Sequence, residues 1–426
     1  MLHDSDFKYR NGSLMCEDVD LAAVAAEYST PAYVYSRHGI VSRYRAYADA
    51  LSGVPHQVCF AVKANSNLAV LSLLAKEGAG FDIVSGGELY RVLAAGGDPA
   101  RVVFSGVGKA DSEIRYALEQ RIHSFNCESE SELALISRIA SGMDKTASIA
   151  LRVNPDVDAV THPYISTGLH EHKFGIAISQ AEQLYAEAGR LPGVVAEGVS
   201  CHIGSQLLDI KPLLEAADKT LALVERLRSR GLPIRYLDLG GGLGVGYRSS
   251  DRPASAGNLV EALKARLEGR DLTLMLEPGR SIVAEAGILL TRVLLIKNNG
   301  QKTFLIVDAA MNDLIRPSLY QAHHEFTPVK EIKSDSGITA DVVGPVCETG
   351  DFFARNRQLP NAQPGDLLAI RTAGAYGFVL SSNYNSRPRT CELLIDGDRV
   401  HVARMRETWQ DLIRGESPID TEMTPE

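Results

Sequence analysis

Short apolar runs recur along the first two-thirds of the chain, each followed by a segment in which apolar residues return every three or four positions. The runs are Val58 to Lys63, Gly80 to Val84, Val102 to Ser105, Ile122 to Asn126, Ile149 to Val153, Gly198 to His202, Tyr236 to Leu239 and Thr273 to Glu277. Segments with helical period lie between them, among them Gly87 to Ala95, Lys109 to Gln120, Ser129 to Ile139, Gln180 to Ala188, Leu213 to Ser229 and Ala256 to Glu268. Brief apolar runs read as buried parallel strands, and a 3.6-residue period reads as a helix with one apolar face. Eight alternating units of this kind predict an α/β fold, a (β/α)8 TIM barrel. A doubly wound open sheet is the rival, but such sheets rarely run to eight units.

The pattern differs at both ends. Residues 1 to 35 hold strand-like pieces around Asn11-Gly12, a helical run from Val19 to Tyr28 ended by Pro31, and a strand-like Tyr33 to Tyr35. Arg37 to Leu51 reads as a helix. After about Ala284, strand-like runs dominate: Gly287 to Lys297, Thr303 to Asp308, Ala340 to Val343, Leu367 to Thr372, Glu392 to Ile395 and Arg399 to Arg404. Asn298-Asn299-Gly300, Pro364-Gly365-Asp366 and Asp396-Gly397-Asp398 supply turns between them. The expected organisation is an N-terminal segment, 1–35, packing on a β domain, a barrel over 36–283, and an all-β barrel or sandwich over 284–426. The polar stretch from Gly415 to Glu426 is expected to fray.

A chain of 426 residues is too long for one ordinary core, which agrees with two domains. Net charge is −9 without long runs, so no basic stripe is available to neutralise nucleic-acid phosphates or an anionic membrane. Met1 to Arg10 has no apolar core for a secretory signal, and the apolar Ala286 to Ile296 is too short to span a bilayer and carries Arg292. A cytoplasmic protein is expected. The six cysteines, at 16, 59, 127, 201, 347 and 391, form no Cys-x-x-Cys pair, which argues for reduced thiols and against a zinc site.

Each predicted strand closes on polar or glycyl positions: Lys63, then Asp82 and Ser85, Ser105, Asn126, Asn154, His202, Gly240 to Gly242, and Glu277 to Arg280. In a barrel these positions share the rim where ligands bind. Lys63 at a strand end can be desolvated, its pKa lowered, and its amine made nucleophilic; an ordinary surface lysine is the alternative. Gly240, Gly241, Gly242 and Gly244 suit close approach of an anion, or simply a tight turn, and their spacing misses the dinucleotide fingerprint at Val245. Arg280 can bind a carboxylate or phosphate and Glu277 can hold a proton on a heterocyclic nitrogen, though a structural ion pair would look alike. His202 can stack on a planar ring or sit in the core. Cys347, among Glu348, Thr349, Gly350 and Asp351, suits a proton donor, with an inert buried cysteine as the alternative. Arg316 to Tyr320 and Ala373 to Gly377 add a guanidinium and phenols that can bind a substrate or merely pack loops.

Taken together, Phe60 to Asn65, Thr161 to Gly168, Lys173-Phe174-Gly175, His202 to Gln206, Asp238 to Gly242, Glu277 to Arg280, Arg316 to Tyr320, Cys347 to Asp351 and Ala373 to Tyr376 resemble the fold-type-III pyridoxal-phosphate amino-acid decarboxylases over nearly the whole chain. The resemblance implies an alanine-racemase-like fold and pyridoxal 5'-phosphate carried covalently by Lys63. It implies that His202 stacks on the pyridine ring, that Glu277 keeps the ring nitrogen protonated, and that Ser205, Gly240, Gly241, Gly242, Gly279 and Arg280 surround the phosphate. Arg280, Arg316 and Tyr320 would bind the distal end of the substrate, Glu348 its amine, and Tyr376 would bridge substrate and cofactor. Cys347 and Glu348 would come from the second subunit of a homodimer, with Cys347 as proton donor. The implied substrate is meso-diaminopimelate, decarboxylated to lysine. Ornithine, arginine or carboxynorspermidine are the alternatives, and they lack the second amino-carboxylate end that Arg280, Arg316 and the Thr161 to Gly168 run suit. A non-catalytic relative would be expected to lose Lys63 or Cys347, and both are present. Thr349 stands where relatives commonly have serine and His172 where they commonly have asparagine.

Overall fold

The computed structural model describes residues 6–157, 173–332 and 337–419, so the Thr161 to Gly168 run and His172 lie outside the described residues. Among the described residues, eight parallel strands close on themselves: His56–Ala61, Gly80–Ile83, Val102–Phe104, Ser124–Cys127, Ala147–Asn154, Val194–Ser200, Tyr236–Asp238 and Thr273–Leu276. Leu276 pairs with Val58 to shut the ring. This is the TIM barrel that the alternating pattern predicts. Side chains alternate across each strand, so Cys59, Val103, Ala150, Tyr236 and Met275 form one buried cluster. Phe60, Phe81, Phe104 and Phe125 belong instead to the larger core shared with the surrounding helices.

Several boundaries differ from the sequence pattern, the sixth strand most, at Val194–Ser200 rather than Gly198 to His202, and three of them have a local reason. The first strand stops at Ala61, whose N–H donates to Pro278 O (3.1 Å), and Val62–Ala64 turns as a 3-10 helix. Lys63 therefore sits on a tight turn just past the strand. Arg121 adopts φ +56° and closes the preceding helix, which delays the fourth strand to Ser124. Val19–Asp20 is a strand, and Asp20 caps the helix Leu21–Tyr28 by accepting from Ala22 N (2.8 Å).

The second sheet has the order Phe352–Pro360, Gly337–Val343, Thr303–Val307, Gly287–Asn298, Ala32–Ser36, Cys391–Asp396, Arg399–Arg404. Leu367–Ile370 also pairs with Gly287–Asn298, and Phe326–Pro328 pairs with Leu367–Ile370. Ala32–Ser36 is buried throughout, antiparallel to Gly287–Asn298 and parallel to Cys391–Asp396, so an N-terminal strand lies inside a sheet built mostly from the C-terminal part. Phe352–Pro360 has no sequence signature because Arg355, Asn356 and Arg357 interrupt its apolar run at the sheet edge. No helix among the described residues is long and apolar enough to cross a membrane.

The two parts meet beside Lys63. Asn65 Nδ2 donates to Gly374 O (3.1 Å), Tyr376 N to Ala64 O (2.8 Å), and Asn67 Nδ2 to Glu392 Oε2 (2.9 Å). A methyl group on Gly374 would overlap the carbonyl oxygen of Val283 and lie 3.0 Å from Gly287 Cα. Gly374→Ala is expected to cost about 2–3 kcal/mol of stability by overpacking this junction, read as a lower urea midpoint. Gly142→Ala, whose methyl meets nothing within 4 Å at a helix end, should change stability by less than about 1 kcal/mol.

Candidate active site

Lys63 Nζ forms an ion pair with Asp82 Oδ2 at the end of the second barrel strand. The Asp82 side chain is fully buried, while that of Lys63 keeps 38% of its exposure. Burial disfavours the charged amine, but the charges of Asp82 and Glu277 outweigh it and raise the lysine pKa above its ordinary value. The lowered pKa expected of a desolvated lysine is thus not what the structure gives, because buried carboxyl groups surround the amine.

Glu277 follows the eighth strand and is buried. Its Oε1 accepts weakly from Ser105 Oγ and Asn126 Nδ2, each at 3.4 Å. Asn126 Nδ2 also donates to Asp238 Oδ2 (2.9 Å), whose other oxygen accepts from Gly240 N (2.9 Å). Burial, followed by the charges of Asp238 and Asp82, pushes the Glu277 pKa well above the usual carboxyl range; burial also raises that of Asp238. Crowding among these buried carboxyl groups favours the protonated form of Glu277.

The loops after the sixth and seventh strands are laced together. Leu207 N donates to Gly242 O (2.9 Å), Gly244 N to Leu207 O (2.8 Å), and Gln206 Nε2 to Val245 O (2.6 Å). His202 Nδ1 accepts from Gly241 N (3.3 Å) and so carries no proton there. Burial and then the Arg152 charge hold the imidazole pKa well below its ordinary value, leaving the ring neutral. Gly240 (φ +65°) and Gly242 (φ +118°) occupy left-handed backbone, and a Cβ on Gly241 would overlap Glu277 O. On Gly279, a Cβ would lie 2.9 Å from Ala64 Cβ. The glycines let the loop reach this close to the Lys63 turn.

Arg280 heads the short helix Arg280–Val283 and is buried. It donates from Nη1 to Tyr247 Oη (2.7 Å) and from Nη2 to Ser205 Oγ (3.1 Å), while its buried Nε has no partner among the described residues. Its guanidinium lies 4.7 Å from the Tyr376 ring centre. Tyr376 has φ +54° and is held by its bond to Ala64 O. Arg316, first in the helix Arg316–Tyr320, lies 4.5 Å from the Tyr247 ring centre with Nη1 2.8 Å from His324 Nε2. Tyr320, half-buried, ends that helix. Among the described residues, neither Arg280 nor Arg316 pairs with a carboxylate.

The fold therefore assembles Lys63, His202, Ser205, Gly240, Gly241, Gly242, Glu277, Gly279, Arg280, Arg316 and Tyr376 through shared contacts. Cys347 and Glu348 stand apart. Cys347 is the exposed member of six free cysteines, and its N–H donates to Asn385 Oδ1 (2.8 Å). Glu348 is exposed and accepts from Gly350 N (3.2 Å) and Tyr384 Oη (3.4 Å). Among the described residues, no hydrogen bond or ion pair joins either one to Lys63 or its neighbours. Sequence reasoning places Asp82 and Asn126 on the rim without assigning them work, and it assigns none to Tyr247 or His324. Polar residues closing apolar strands could have flagged the first two; the others lie in loops with no local signal.

Residues 37–284 match the family model of the pyridoxal-dependent decarboxylase, pyridoxal binding domain. Over 411 residues, 96% of this chain and 98% of the relative, the sequence is 59% identical to diaminopimelate decarboxylase of Pseudomonas aeruginosa. Identity to the Vibrio cholerae diaminopimelate decarboxylase is 51%, covering 97% of this chain and 99% of the relative. Among solved structures, diaminopimelate decarboxylase from Helicobacter pylori complexed with L-lysine matches with a TM-score of 0.89 at 44% identity, over 93% of this chain and 98% of that one. The M. jannaschii diaminopimelate decarboxylase in co-complex with L-lysine gives 0.92 at 38% identity, over 98% and 99%. A lysine in a carboxyl cluster at a barrel rim, joined to identity of this extent along almost the entire length, means that the chain belongs to the diaminopimelate decarboxylase family of pyridoxal-dependent decarboxylases.

Proposed function

We propose that the chain decarboxylates meso-2,6-diaminopimelate to L-lysine and carbon dioxide, the last step of lysine synthesis, in the cytoplasm and as a homodimer. The observation that carries this reading is the combination of a lysine amine set among carboxyl groups with two buried guanidiniums that have no carboxylate partner among the described residues. A substrate with two amino-carboxylate ends suits both. Ornithine and arginine carry no second carboxylate to offer them.

The residues fit pyridoxal phosphate. Lys63 offers a primary amine to its aldehyde, and a protonated ring nitrogen would bring to Glu277 the positive partner that the crowded carboxyl groups favour. Ser205, Arg280 with its unpartnered Nε, and the backbone of Gly240, Gly241, Gly242 and Gly279 suit the phosphate. When bound, the cofactor supplies an electron sink that side chains lack.

The rest of the chemistry falls to the chain. Asp82 Oδ2, paired with Lys63 Nζ, is placed to hold a proton exchanged with that amine. Neutral His202 offers a flat face without adding positive charge. Arg280, Arg316 and Tyr320 hold the distal end of the substrate, and Tyr376 lies between it and the cofactor. Cys347 and Glu348 serve the site of the other subunit, the first as proton donor and the second toward the substrate amine; their exposure and their bonds within the β domain support this. In this reading residues 36–283 carry the cofactor, 284–426 close the partner's site, and 1–35 pack on that β domain.

Carbon dioxide release should show kcat/KM for meso-diaminopimelate at least about 100-fold above that for ornithine or arginine, since a site built around buried donors rejects analogues that leave them unpaired. Equal rates on ornithine would sink the substrate assignment. Lys63→Ala and Cys347→Ala homodimers should each be nearly inactive. Unfolding and refolding them together should restore roughly a quarter of wild-type activity, because random pairing makes half the dimers mixed, each with one intact site. A mixture as inactive as its components would remove the shared site.

A further inference from the structure

Beside the two arginines lie Tyr247 and His324, neither of which touches the Lys63 chemistry. His324 is fully buried, with Nδ1 2.8 Å from Arg371 O and Nε2 2.8 Å from Arg316 Nη1. A carbonyl oxygen only accepts, so Nδ1 carries the hydrogen. Nε2 is then the lone-pair nitrogen, able to accept from the guanidinium. Burial, followed by the Arg316 charge, holds the imidazole pKa well below its ordinary value, in keeping with this neutral tautomer. The ring meets Tyr247 edge-on (5.4 Å, 79°), and Tyr247 in turn lies under Arg316 and accepts from Arg280.

We propose that His324 is a positioning residue which, through Nε2, orients the Arg316 guanidinium against the Tyr247 ring, so that Arg280 and Arg316 together favour ligands carrying a distal carboxylate. The proposal rests on diaminopimelate as the substrate and extends that reading from the arginines to the groups that aim them. Two guanidiniums sharing one tyrosine repel each other, and Arg280 is among the charges that disfavour the charged form of Arg316. Arg316 faces this repulsion while buried, and its one side-chain hydrogen-bond partner among the described residues is His324. Without that acceptor the planar fork is free to swing away from the position that meets an anion. A neutral acceptor serves here where a carboxylate would not, because a carboxylate would quench the charge that the ligand must feel.

The test compares two ligands on the pyridoxal-phosphate-loaded enzyme: L-lysine, which carries a carboxylate, and cadaverine, which is the same diamine without it. In His324→Ala, affinity for L-lysine measured by calorimetry should fall roughly tenfold, the scale of one lost hydrogen bond to a charged group, while affinity for cadaverine stays within about twofold. KM for meso-diaminopimelate should rise by a similar factor, with kcat falling much less. His324→Gln keeps an acceptor and should hold L-lysine within about threefold of wild type. A parallel loss for both ligands, or a glutamine variant as weak as the alanine one, overturns the proposal. Wild-type enzyme that fails to turn over meso-diaminopimelate would refute the substrate reading instead, and the lysine-to-cadaverine contrast would still judge His324.

Discussion

Three acidic side chains, Asp82, Asp238 and Glu277, lie buried in one cluster with the Lys63 amine against Asp82, and the electrostatics of that arrangement governs the rest of the site. Carboxyl groups this close in a medium of low polarity cannot all ionise cheaply, which favours the protonated form of Glu277. Lys63 supplies one charge through Asp82. Glu277 accepts from Ser105 and Asn126 at 3.4 Å and lies against Asp238, a second acid, so among the described residues no cation pairs with it. In the proposed reading the cluster is tuned to a ligand that would bring a cationic ring nitrogen and tie up the lysine. Such a ligand takes one charge away from Asp82 and brings another to Glu277.

That tuning is useful only if the Lys63 turn stays in place, and both parts of the molecule grip it. On the barrel side, Ala61 is tied to Pro278 and the missing side chain at Gly279 lets Ala61 and Ala64 pack close. From the β domain, Gly374 accepts from Asn65 and Tyr376 donates to Ala64. Glu392 secures Asn67 while also receiving Arg404 Nε (2.6 Å) and Tyr35 Oη (2.8 Å), so this buried carboxylate is fully partnered. A turn held by hydrogen bonds from two directions keeps an amine within the small tolerance that reaction geometry demands. The β domain is thus part of the site's frame as well as its cover.

How much of the molecule is legible in its sequence depends on the range of each interaction. The barrel is legible because every strand repeats the same apolar run and every helix the same period. The rim is legible because a polar residue closing an apolar run, such as Lys63 or Asn126, has few other places to be. Boundaries fail where a single dihedral decides them, as at Arg121, and the edge strand Phe352–Pro360 escapes because its outward residues are charged. The sign of the Lys63 pKa shift is hidden for a different reason. Burial alone lowers it, and only the meeting of Asp82 and Glu277, residues far apart in the chain, reverses the result. Tyr247 and His324 are invisible on the same ground, since their roles exist only once Arg280 and Arg316 are brought together.

In the proposed reading, the arginine pair would also let a barrel of this kind distinguish substrates that differ far from the reacting bond. Burying two guanidiniums with neutral partners leaves their charge uncompensated, which weakens the site while it is empty of anions. A ligand carrying a carboxylate relieves that imbalance, whereas a diamine must leave it standing, and it adds a positive charge of its own. Selectivity of this kind comes less from attraction to the right ligand than from what the wrong one leaves unpaired. Tyr247 keeps the arrangement open: its ring and hydroxyl satisfy parts of both guanidiniums without neutralising either. Replacing it by an acid would stabilise the arginines and, by the same act, remove their reason to bind a substrate.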